Sequence, residues 1–224
     1  MRWLLYGSVT TLAVTGVVAV VLRIAEMHAS LTGNNLPPAD SFESGFVRWP
    51  VLTLLHILPG LVFIVLGPLQ FVAAIRSRYT NLHRWCGRIY IASGVLVGIS
   101  ALVMGYVIGF GGSAETAAVT LFSLLFLACL GRAFVHIKRR EIAAHREWMI
   151  RAFALGLAVA TMRPMVGLLL GLAGLSLAEF LAAAFWLAFS MHLLLAELWV
   201  TFTRRERTPG ISPRMATADA SDST

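Results

Sequence analysis

Five polar side chains stand where an apolar chain could do chemistry: His56, His83, His145, His192 and Arg163. Each lies within, or at the edge of, a long run of hydrophobic residues. An imidazole there can ligate haem iron or carry a proton, because its charge changes near neutral pH. A guanidinium near a bilayer centre costs about 3 kcal/mol even on the lowest scales, so it needs a partner or water. Arg163 is therefore a site candidate by depth alone, facing an anion, a haem propionate, a quinone oxygen or a proton path. A structural ion pair is the alternative.

Two of these histidines open an echoed pattern. His83-Arg84-Trp85 leads to Arg88 and Tyr90, and His145-Arg146-Glu147-Trp148 leads to Arg151 and Phe153. In both, an arginine follows the tryptophan by three residues and an aromatic follows two later. Facing inward, Arg88 and Arg151 would clamp a phosphate or carboxylate through their planar donor forks. The alternative for His83 and His145 is ordinary interfacial chemistry, a helix start in contact with lipid headgroups. His56 reads either as a buried histidine bonded to a neighbouring carbonyl or as a haem ligand. Haem needs two imidazoles at equal depth, and the pairs on offer are His56 with His192, or His83 or His145 with His136.

The elements that must position these groups are membrane helices. Of the residues 58% are hydrophobic and 13% charged, against about 25% charged in soluble domains. Apolar runs long enough to span a bilayer fall at about 3–22, 51–74, 87–108, 117–137, 149–172 and 180–202. The fold class expected is all-α: a polytopic membrane bundle of about six transmembrane helices over residues 1–203, with a disordered tail at 204–224. Arginine and lysine crowd one set of connections (Arg2; Arg76 to Arg88; Lys138 to Arg146; Arg204 to Arg207), while the other set holds Arg23 and Arg48. That asymmetry puts both termini in the cytoplasm and explains the net charge of +7 without a nucleic-acid partner. The long connection at about 23–50 is then external.

Spacing within each run shows what points inward. His56, Gly60, Phe63, Gly67 and Gln70 recur at helical intervals, as do Gly87, Gly94, Gly98, Ala101 and Gly105. Tyr90, seven residues after His83, falls on the same face as Gly87. Gly156, Ala160, Arg163, Gly167 and Gly171 form a third stripe, so His56, Arg163 and His192 are expected to converge on a pocket in the outer half. Pro68 implies a kink, with Gln70 re-satisfying the freed backbone. Cys86 and Cys129 lack metal-site or disulfide spacing. There is no phosphate loop, nucleophile elbow or H-E-x-x-H, so hydrolysis and ATP use are not indicated.

Taken in order, His56, Gly67-Pro68-Leu69-Gln70-Phe71, Leu82-His83-Arg84, Gly87-Arg88-Ile89-Tyr90, His145-Arg146, Trp148-Met149-Ile150-Arg151 and Arg163 resemble a family. It is the bacterial predicted membrane proteins called domain of unknown function 2306. The resemblance covers about residues 50–165 and implies architecture, an inner-membrane location and a site, rather than a reaction. It also implies an amide residue near His192, which weakens that residue as a ligand. Inward histidines in a helical bundle are similar, at fold level, to membrane b-type cytochromes.

The reading that follows is a redox-linked membrane protein, associated with haem b or a quinone. His56, His83, His145, His192 and Arg163 are its candidate cofactor residues, and Arg88, Arg151, Gln70 and Tyr90 its candidate ligand residues. A transporter of small anions or protons is the alternative class, and a structural or sensory partner without chemistry the third. Oligomeric state is not legible.

Overall fold

A computed structural model describes residues 2–205 apart from 34–35, 39–40 and 174–176. The side chains of 2–6, 163–164, 166–173, 177–179 and 205 also lie outside the described set. The described chain is helical: α1 (Arg2–Thr32), α2 (Phe42–Arg48), α3 (Pro50–Phe71), α4 (Ala73–Arg78), α5 (Thr80–Val107), α6 (Gly112–Lys138), α7 (Ile142–Ala173) and α8 (Leu177–Arg205). Helices in a bilayer satisfy every backbone polar group within themselves, which is why an apolar chain of this kind adopts them. Five of them (α1, α3, α5, α6 and α8) are long and apolar enough to cross a membrane. The sixth expected span, 149–172, falls in α7, where many side chains lie outside the description.

Hydropathy marks where a run becomes apolar, and the helices begin earlier. α5 starts at Thr80 rather than 87, and α7 at Ile142 rather than 149. His83 and His145 are therefore each the fourth residue of a helix, and each donates its backbone N–H to the residue just before that helix, Tyr79 or Glu141, at 2.9 Å. α1 continues to Thr32, so the expected external connection at 23–50 is partly helix. Arg23 lies within α1 and is buried. Its guanidinium lies 4.3 Å from the Phe46 ring centroid and 3.2 Å from Glu26.

α3 packs on α5, α5 on α6, α6 on α7 and α7 on α8, with α1 laid across α3 and α7. The chain order places the α4–α5 and α6–α7 junctions at one end of the bundle, called the basic end below. Arg76, Arg78, Arg84, Lys138, Arg139 and Arg140 collect there. The α5–α6 turn lies at the opposite end. It closes with Glu115 accepting the backbone N–H groups of Phe110 (2.8 Å) and Gly111, and with Gly112 at φ +69°.

On α3 and α5 part of each inward stripe read from the sequence is buried, His56, Gly60, Gly87 and Ala101 are half-buried, and the α7 stripe runs into side chains outside the described residues. Phe63, Gly67 and Gln70 are buried on α3, and Tyr90, Gly94, Gly98 and Gly105 on α5. Glycine is required where aromatic rings cross. A Cβ at Gly156 would lie 2.3 Å from Phe63, and one at Gly67 would lie 2.2 Å from Phe153. Phe63 stacks on Tyr90 with centroids 4.2 Å apart and meets Phe126 edge-on at 5.4 Å. Without a hydrophobic drive between helices in lipid, such close contact supplies much of the cohesion. Gly156→Ala is expected to lower stability in detergent by about 2 kcal/mol, the overpacking cost exceeding the roughly 1 kcal/mol that alanine gains as a helix former. Adding Phe63→Leu should recover part of the loss; strictly additive effects in a circular-dichroism melting cycle would refute the ring-in-hole contact.

Candidate functional site

The polar side chains of the echoed segments gather between α3, α5, α6 and α7 near the basic end. Gln70 is the last buried residue of α3, and a Cβ added at Gly87 would lie 3.3 Å from its Oε1. Gly87 stands one turn from both His83 and Tyr90 on α5, so these three residues share a face. His145 of α7 lies within electrostatic reach of His83. Gln70 is 8% exposed and Tyr90 fully buried, with Phe63 stacked on the Tyr90 ring.

Three atoms of this group have no hydrogen-bond partner among the described residues: Gln70 Nε2, Tyr90 OH and His83 Nδ1. Leaving a buried polar group unpaired costs about 1–3 kcal/mol, so three on one cluster call for a functional explanation. The first two are donors, and the third becomes one in the matching tautomer. His145 differs. Its Nδ1 donates to the Ala133 carbonyl at 2.8 Å, which fixes the tautomer and leaves Nε2 as the lone-pair nitrogen.

The arginines of the echo do not form the inward anion clamps their spacing suggested. Arg151 is half-buried but neutralised, its guanidinium bidentate on Glu197 (2.5 and 2.8 Å) and lying over the Trp148 ring at 4.7 Å. Arg88 is exposed and lies 4.8 Å from the centroid of Trp85, itself 62% exposed. The difference follows from packing: α7 is flanked by α1, α6 and α8, whereas the long neighbours of α5 are α3 and α6. A one-residue slip adds to it, since Trp148 follows His145 by three positions and Trp85 follows His83 by two.

At the expected outer pocket both histidines have protein partners. His56 Nδ1 pairs with Ser100 Oγ on α5 at 3.0 Å, and that hydroxyl donates to the Leu96 carbonyl at 2.6 Å. His192 Nε2 pairs with Thr161 Oγ1 on α7 at 2.8 Å. The two imidazoles thus bond to different helices, and Arg163's side chain lies outside the described residues. His136 Nδ1 is hydrogen-bonded to Glu141, which leaves Nε2 as its remaining ring nitrogen. Gln70 makes no described bond to the backbone freed by Pro68. Among the described residues no cluster of three metal-ligating side chains forms. Sequence reasoning did not find the pairings His56–Ser100, His192–Thr161, Arg151–Glu197 and Arg204–Glu147, whose members stand 44, 31, 46 and 57 positions apart and carry no local signal.

Long apolar helices around a buried polar cluster define a multi-pass integral membrane protein. Its family is a further finding: residues 53–200 match the predicted membrane proteins of DUF2306, and the chain belongs to that family. No curated protein and no solved structure matches it.

If Tyr90 OH lacks a protein partner, Tyr90→Phe removes a desolvated hydroxyl without opening a cavity. The ligand-free variant is expected to be more stable than the parent by about 1 kcal/mol in a thermal melt. A loss of stability would mean that the hydroxyl is satisfied within the fold.

Proposed function

We propose that this protein is redox-linked, and that it binds a quinone-type ring between α3, α5 and α7 at the basic end of its bundle. The observation that carries this reading is the set of unpartnered buried atoms on Gln70, Tyr90 and His83. Two are donors in any state, on groups without formal charge at neutral pH, and they suit the acceptor oxygens of a neutral ring. The aromatic rings of Phe63, Tyr90 and Phe153 supply flat apolar walls beside them. An anion transporter is less well supported, because Arg151 is neutralised by Glu197 and Arg88 faces outward. The positive-inside rule puts the basic end, both termini and all six spans in a cytoplasmic-membrane topology.

Haem b is the second reading, and one observation favours it. The His145 bond to the Ala133 carbonyl leaves Nε2 available, the usual arrangement for a ligating imidazole, with His83 nearby. An absorption spectrum of the purified protein separates the two. A Soret band abolished by His145→Ala supports haem; its absence from haem-replete preparations supports the quinone.

For the quinone reading, Gln70→Leu and Tyr90→Phe are each expected to weaken binding of a short-chain benzoquinone by about tenfold, the value of one buried hydrogen bond. Tryptophan-fluorescence quenching of the detergent-solubilised protein measures this. Unchanged affinity in both variants would defeat the proposal.

A further inference from the structure

Between Glu43 and Glu115 the chain carries no aspartate or glutamate, yet Arg76, Arg78, Arg84 and Arg88 stand there at the basic end. All four are exposed, and none has a carboxylate partner among the described residues. Elsewhere at the basic end acidic residues are interleaved: Glu197 holds Arg151, Glu147 holds Arg204, and Glu141 follows Arg140 directly. Arginine at one end of the spans is enough to orient a membrane chain, and orientation does not require carboxylates to be left out. The positive surplus of α4 and α5 is a separate feature.

Its place on α5 decides what can meet it. Arg84 and Arg88 are four residues apart and share a face, and Trp85 stands beside them with its ring centroid 4.8 Å from the Arg88 guanidinium. Further along α5 the same side is continued by Leu96, Ile99, Val103 and Tyr106, all exposed. The other side of α5, with Tyr90, Gly94 and Gly98, is buried against α3 and α6. The outward side thus runs from two guanidiniums and a tryptophan, a residue suited to headgroup level, onto a stripe suited to hydrocarbon. Arginine's planar fork fits phosphate oxygens two at a time. A free phosphate would use the guanidiniums alone, whereas a phospholipid uses both them and the stripe.

We infer that the outward side of α5 binds an anionic phospholipid at the basic end, its phosphate against Arg84 and Arg88 and an acyl chain along Leu96, Ile99 and Val103. With arginines and no acidic residue on α4 and α5, a headgroup of net negative charge is favoured over a zwitterionic one, by about fivefold for each arginine. The site is independent of the quinone reading, since it uses the side of α5 that faces away from Tyr90.

Dioctanoyl phosphatidylglycerol and dioctanoyl phosphatidylcholine share their chains and differ in net headgroup charge. They test the site on the full chain in a neutral detergent, with bound lipid counted by native mass spectrometry. The parent is expected to prefer the anionic lipid by about tenfold or more. Arg84→Gln and Arg88→Gln should each cut that preference about fivefold. Arg139→Gln combined with Arg140→Gln, exposed at the same end, should change it less than about twofold. Equal retention of the two lipids by the parent overturns the proposal. So does an equal fall in the Arg139 and Arg140 variant, which assigns the preference to overall charge. Displacement of the lipid by millimolar inorganic phosphate shows a free-anion site and overturns it as well.

Discussion

Phe63 is the ring on which the bundle closes. It is 2% exposed and touches Tyr90, Phe126 and Phe153, drawn from three other helices. Its room is made by the absence of two side chains, since a Cβ at Gly94 would lie 3.1 Å and one at Gly156 2.3 Å from its carbons. Lipid tails are as apolar as leucine, so burying leucine between membrane helices gains little. Close packing of a rigid ring into holes left by glycine gains dispersion contacts that lipid does not match. The polar cluster lies on the basic side of that ring, with Tyr90 stacked on its face.

The echoed segments show how one pattern takes two roles in different surroundings. Each places a histidine at the fourth position of a helix and an aromatic, Tyr90 or Phe153, against Phe63. Between those points they part. The α7 copy is matched by carboxylates: Glu197 holds Arg151, Glu147 holds Arg204, and Arg132 and Arg151 both lie over Trp148. These pairs knit α6, α7 and α8 together. The α5 copy lacks described carboxylate partners, presents Trp85 and Arg88 outward, and turns His83 and Tyr90 in. One copy thus serves mainly to hold helices, and the other to face the cluster.

The polar cluster carries a cost in stability. A bundle selected only for stability would carry phenylalanine at 90 and an apolar residue at 70, because unpaired donors in low dielectric oppose folding. The opposite end is mixed: the Glu115 carboxylate is satisfied by two backbone donors and the Thr53 hydroxyl by the carbonyls of Phe46 and Trp49, whereas Arg23 Nε and Ser41 Oγ there are buried without a described partner.

The sequence by itself determined the class, the long apolar helices and the face that each of α3 and α5 turns inward. These follow from bilayer thickness and from a period of about 3.6 residues, both properties of a single segment. It also marked His83, Gln70 and Tyr90, since their spacing along their own helices is local. Tertiary structure alone decided which marked residues meet. Arg151 finds Glu197 at 46 positions' separation, His56 finds Ser100 at 44, and Arg88, among the described residues, the ring of Trp85. Helical period sets direction around one axis. It leaves open which neighbour stands there, because that depends on how several helices share the small-residue contacts that draw them together.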